Sequence, residues 1–162
     1  MKNIKALIFI FIAMSVAVVS LSQEKTAAEV KKMVESQNYI FKAETMIPQS
    51  GSSKMLSSEY DLTVTTNKII SYLPYFGRAY VPIMPGEGGI KFTSTDFEYK
   101  KSKDGQEWEI LIRPNDADGV RQLHLSIFEN GKATLSVVNT NRQGISYHGY
   151  VTEGTIKEKK AF

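Results

Sequence analysis

DGQEWEILIRPNDADGVRQLHLSIFENGKATLSVVNTNRQGISYHGYV, residues Asp104–Val151, decides the fold. Trp108, Ile110 and Ile112 alternate with Glu107, Glu109 and Arg113. Leu123, Leu125 and Ile127 alternate with Gln122, His124 and Ser126, and Leu135 and Val137 with Thr134 and Ser136. A period of two puts one set of side chains on a buried face and the other in water. Asp104-Gly105 and Asn130-Gly131 are hairpin-turn dipeptides, and Pro114–Gly119 and Asn141–Gly144 carry turn residues before the last strand, Ile145–Val151. Connections this short leave successive strands no arrangement but antiparallel neighbours.

Toward the N-terminus the same grammar continues. Lys91–Lys101 reads as one long strand with a defect, because Ile90 and Phe92 differ in parity from Phe97 and Tyr99. One extra residue near Ser94–Asp96, a bulge, would return all four to one face. Val81–Gly89, VPIMPGEGG, reads as a mobile Pro/Gly-rich loop. Before it lies SYLPYFGRAYVP, Ser71–Pro82, which holds four of the chain's sixteen Phe and Tyr residues. Pro74 and Pro82 lack the N–H that a helix or a central strand needs. This stretch therefore reads as two extended pieces around a bend that plug or fold over the core. Tyr60, Leu62, Val64 and Thr66 form another alternating set before a turn at Asn67-Lys68, and Tyr39, Phe41, Ala43 and Thr45 an earlier one. Thr26–Gln37 reads as a short helix with capping-box spacing between Thr26 and Glu29.

About eight strands after one helix predict a mainly β protein. The expected form is a strongly bent antiparallel meander, an incomplete barrel, with the helix on or in its mouth. A two-sheet sandwich is the alternative, and pattern alone does not separate them.

Met1–Ser22 reads as an export signal, with Lys2 and Lys5 at its start, an uncharged run to Val19, and Ser20-x-Ser22 before the cut. Of the 162 residues this leaves 140, one β-rich domain over 23–151 with a frayed tail at 152–162. The expected location is periplasmic or extracellular, with no membrane span after cleavage. The formal charge of +3 includes Lys2 and Lys5, so the mature chain carries +1, which removes the main support for a nucleic-acid partner. With no cysteine there is no disulfide, thiolate metal site or cysteine nucleophile.

At SEYDLTV, SYLPYFGRAY, GGIKFTS, FEY and NRQGISYHGY the chain resembles a bacterial family of small exported proteins, the domain of unknown function 4251. The resemblance covers nearly all of the mature chain. It implies an exported, stand-alone β-rich domain and carries no catalytic or binding residues.

The side chains point away from catalysis. His124 and His148 are 24 residues apart, and no local spacing joins them to a carboxylate such as Asp96 as a zinc site. Asn115–Gly119 fails as a calcium loop, because Pro114 and Leu125 fall where carboxylates belong. It reads instead as a turn held by Asx side chains. Gly86–Gly89 lacks the Lys-Ser or Lys-Thr of a phosphate cradle, and no G-x-S-x-G elbow occurs. No metal or cofactor is expected. Arg78, in apolar company, is expected to be buried against Glu59 or Asp61, or to anchor an anion. Tyr75 and Tyr80 are the expected contact residues, with Phe76 in the core.

Two function classes remain. One is a binding module whose bent sheet holds a small apolar or amphipathic ligand in a cavity gated by Val81–Gly89. The other is a structural or protein-interaction component of the cell envelope. The inward set of Trp108, Ile110, Leu123, Leu125, Leu135 and Val137 is mostly large and favours a filled core.

Overall fold

The computed structural model describes residues 25–57, 59–80 and 88–154. The expected export signal, most of the loop Val81–Gly89 and the tail from 155 onward lie outside the described residues.

Helix α1, Ala27–Glu35, starts where the capping box places it. The Glu29 N–H donates to Thr26 Oγ1 at 3.3 Å, and the Thr26 N–H donates to Glu29 Oε2 at 2.9 Å. Its other end turns on Gln37, at φ 49°. The Gln37 and Asn38 N–H groups return to the carbonyls of Val34 and Met33, which closes the last turn. Nine residues are too few for a helix to stand alone. Val30, Met33 and Val34 anchor it by entering the core, at about 1.5–3 kcal/mol each.

Ten strands follow: β1 Tyr39–Pro48, β2 Lys54–Met55, β3 Asp61–Val64, β4 Ile69–Pro74, β5 Gly89–Ser94, β6 Phe97–Asp104, β7 Glu107–Pro114, β8 Val120–Phe128, β9 Lys132–Asn139 and β10 Ile145–Glu153. All belong to one antiparallel sheet ordered β5-β4-β3-β1-β10-β9-β8-β7-β6, with β2 beside β1. The first and last long strands pair, Phe41 opposite Val151, which bends the meander into a barrel. The two ends of the sheet order, β5 and β6, are consecutive in sequence but form no ladder, so the barrel has a single seam. This is the incomplete barrel rather than the sandwich. The last strand runs two residues past the expected domain end at Val151.

The seam corrects the reading of Lys91–Lys101. It is two strands joined by a corner at Thr95-Asp96, not one bulged strand. The corner does what a bulge would have done, since Ile90 is buried and Phe92, Phe97 and Tyr99 pack against the same core. Asp116 holds it, accepting from the Thr95 N–H at 2.9 Å and the Asp96 N–H at 3.2 Å. The Asx side chains of the Asn115–Gly119 turn thus hold the neighbouring corner, Asn115 also donating to Asp96 Oδ1 at 3.0 Å. The Ser94 hydroxyl and these two N–H groups keep the Asp116 carboxyl ionised down to about 2.

A bulge does occur, in β1. Glu44 falls out of register between Ala43 and Thr45. Opposite it, β10 approaches so closely that a Cβ on Gly149 would lie 1.8 Å from the Lys42 carbonyl oxygen. Between β8 and β9, Gly131 takes φ 84° and its N–H donates to the Phe128 carbonyl, so a three-residue turn sets the register of Leu125 against Leu135.

The inward residues form one buried cluster that includes Tyr39, Phe41, Ile110, Leu125 and Tyr147. Tyr39 and Tyr147 are wholly buried, and each hydroxyl has a partner: Tyr39 meets the Tyr99 hydroxyl at 3.1 Å, and Tyr147 donates to the Pro74 carbonyl at 2.6 Å. Burial raises the pKa of both phenols. The helix closes one mouth. Its N-terminal Lys25 lies against Gly131 of the β8–β9 turn, and at its far end Lys101 of β6 donates to the carbonyls of Val34 and Glu35.

Candidate functional site

At the mouth opposite the helix, Tyr75–Tyr80 leaves β4 and crosses the barrel end to the β9–β10 loop. Two backbone bonds dock this strap: the Tyr80 N–H donates to the Asn141 carbonyl and the Gln143 N–H to the Arg78 carbonyl. Ala79 and Arg142 form an isolated bridge between them. The stretch Ser71–Pro82 therefore folds over the core, as expected, in the part that is described.

The expected roles of its rings are reversed. Tyr75 is buried at 6% exposure, and Phe76 is 57% exposed. The cause is strand parity. Ile69, Ser71 and Leu73 of β4 face inward, and Tyr75 continues that set past Pro74 while Phe76 falls on the outer set. The proline ends the ladder without resetting the alternation.

Tyr75 is a latch. Its hydroxyl lies 2.9 Å from the Arg78 carbonyl and 3.0 Å from that of Gln143, so one proton is shared between strap and loop. The Arg142 guanidinium sits 4.7 Å from the ring centroid, and its Nη2 donates to the Gly89 carbonyl at 3.0 Å. Desolvation raises the Tyr75 pKa. The strap turns tightly over the ring: a Cβ on Gly77 would lie 2.4 Å from the Tyr75 hydroxyl oxygen. Arg142 was not marked as a site residue from the sequence. A lone arginine in a turn gives no signal until the fold places an aromatic ring beneath it.

Arg78 is exposed, not buried as expected, and only its carbonyl is used in docking. The buried Asp61 instead takes Lys42 at 2.6 Å. Tyr80 is 69% exposed. Close by, Lys54 of β2 stands 4.3 Å over the Phe76 ring, which brings the 82%-exposed Met55 to the same end. Met55, Phe76, Arg78 and Tyr80 thus stand exposed on and beside the strap, while Tyr75 holds it down.

The histidines take separate places. His124 Nε2 lies 2.5 Å from Glu109 Oε2, and Ser126 donates to the other oxygen of that carboxylate at 2.9 Å. His148 is two strands away on β10. The strands carry both histidines on the outer face, with β9 between them, so they do not share a site.

The family model for a domain of unknown function, DUF4251, matches residues 21–151, most of the chain. The chain belongs to the DUF4251 family. A solved DUF4251 family protein from Bacteroides eggerthii DSM 20697 has the same fold, with a TM-score of 0.62 over 78% of this chain and 87% of that one. At 16% identity the likeness concerns the fold alone. No curated protein matches the chain.

Proposed function

We propose that this DUF4251 protein is an exported, non-catalytic interaction module, and that its partner is a protein that docks on the strap. The observation that carries this is the exposure of Met55, Phe76 and Tyr80 at one end of the barrel. Aromatic residues, methionine and arginine are the types enriched in the buried centre of protein interfaces. Each aromatic side chain buries about 150–250 Å² when covered, so the patch would form a substantial part of the roughly 800 Å² that one partner contributes to a stable complex. The Phe76 ring is also held before binding by Lys54, and the strap backbone by the Tyr80 N–H bond to Asn141, which lowers the ordering cost.

The alternative, a small apolar ligand inside the barrel, has less support. The inward positions carry large side chains that pack into one buried cluster. A photo-crosslinking amino acid placed at 55, 76 or 80 tests the proposal in the native envelope. The expected result is one discrete protein adduct from all three positions, lost when Arg78→Glu is added. Adducts that are absent, or equal to those from exposed position 104 at the β6–β7 turn on the helix end, would refute it.

A further inference from the structure

A groove of about 950 Å³ opens on the outer face of the barrel, at the helix end and away from the strap. Its walls are Phe128 at the end of β8 and Tyr150 in β10, 43% and 42% exposed. Lys132 lies between them, paired with Tyr150 across the ladder. The depth comes from residues with little or no side chain: Gly131, Ala133 and Gly149 form part of the lining. Gly149 is fixed there by its contact with the Lys42 carbonyl, and the bulge beside it turns Glu44 into the groove's edge. Single exposed rings are ordinary on a protein surface. Two rings on either side of one concavity, in the volume range of ligand sites, are not.

We propose that this groove is a carbohydrate-binding site that takes a short oligosaccharide. The lining offers a carboxylate acceptor in Glu44, ammonium donors in Lys25 and Lys132, and mixed groups in Thr134 and His148. A sugar hydroxyl both donates and accepts, so adjacent hydroxyls can satisfy both kinds of partner at once. An anionic ligand would bring its charge against Glu44, and a hydrocarbon chain would desolvate the polar lining without offering it hydrogen bonds. The C–H face of a pyranose ring gives Phe128 and Tyr150 the apolar contact that their exposed faces lack. Its two rings are separate from Phe76 and Tyr80 of the strap, and only its Glu44 edge approaches Met55.

The test is a glycan array printed with α- and β-glucans, mannans, galactans and N-acetylated glycans, followed by NMR titration with a hexasaccharide of the class that binds. At least one class should bind, with amide shifts confined to Glu44 and its neighbours, Phe128–Thr134 and His148–Thr152. Tyr150→Ala and Phe128→Ala should each weaken binding at least tenfold. Thr134→Trp, which fills the groove floor, should abolish it, and Phe76→Ala on the strap should leave it unchanged. All four positions lie at least partly exposed on the surface, and thermal melts establish that each variant is folded. Binding to no glycan class, binding that survives the groove variants, or groove shifts from decanoate with none from any saccharide would overturn the proposal.

Discussion

The latch assigned to Tyr75 makes a quantitative prediction about two adjacent residues. Tyr75 is 6% exposed and Phe76 57%, so truncation to alanine should cost very different amounts. Tyr75→Ala removes a buried ring and should cost about 3–5 kcal/mol. Phe76→Ala gives up an exposed contact with the Lys54 ammonium, worth about 0.5–1 kcal/mol. Tyr75→Phe separates ring from hydroxyl. The two carbonyls it would abandon keep other donors, the Gln143 N–H on Arg78 and the Asn139 side-chain amide on Gln143, both at 3.0 Å. The hydroxyl should therefore account for only about 0.5–1.5 kcal/mol. Urea denaturation followed by Trp108 fluorescence and circular dichroism reads all three. With a slope of about 2 kcal/mol per molar, Tyr75→Ala should lower the midpoint by roughly 2 M and Phe76→Ala by less than roughly 0.5 M. Gly77→Ala should fall between them, at about 1–3 kcal/mol, because its methyl must push the Tyr75 hydroxyl aside. If Phe76→Ala lost as much stability as Tyr75→Ala, the parity argument and the latch would both be wrong.

Four further outcomes are expected. The Asp116 carboxyl titrates near 2 when folded, below its ordinary 3.8, so its stabilisation is complete above about pH 4–5 and declines as the pH falls toward 2. Thermal melts of Asp116→Asn against the parent should show a gap at pH 6 that closes between about pH 4 and 2, and a gap of constant size would refute an ionic anchor for the Thr95-Asp96 corner. Thr26→Ala should cost about 1 kcal/mol by removing the helix cap, measured by the same urea titration, and no loss would mean that core contacts alone set the helix start. Gly149→Ala should yield little folded protein on expression, since no rotation of a methyl relieves a 1.8 Å approach to a backbone oxygen. Intact-mass measurement of the protein recovered outside the cytoplasm should give a chain beginning at Gln23, and a mass that still includes Met1 would reject the export reading.

Most of the barrel was legible because its information is local. Alternation from Trp108 to Val137 and the turn at Asn130-Gly131 specify face and register within a few residues, and β7, β8 and β9 follow them. The capping box at Thr26 is equally local. The Thr95-Asp96 corner was harder. A bulge and a corner shift parity in the same way, and only the pairing of β5 with β4 and of β6 with β7 tells them apart. The Glu44 bulge had no sequence signal, because what demands it is Gly149, about a hundred residues later and across the ladder.

The strap was misread for an instructive reason. The expectation of two extended pieces treats Pro74 as a break, yet proline removes only a donor and fixes φ near −65°, which is compatible with extended backbone. At the end of β4, Leu73, Pro74 and Tyr75 are all buried, and Tyr75 keeps the inward parity of Leu73 while Phe76 turns out. That error bears on function. A buried Tyr75 bonds the strap to the β9–β10 loop and so fixes Tyr75–Tyr80 across the mouth opposite the helix. With α1 across one mouth, the strap across the other and large side chains between them, recognition is left to surfaces. Among the described residues, the strap and the outer groove each set exposed rings beside polar groups; the rings lie toward opposite ends of the barrel, and the two surfaces approach each other where Met55 lies beside the Glu44–Thr45 segment. If both proposals hold, neither the protein partner nor the oligosaccharide requires the core to open.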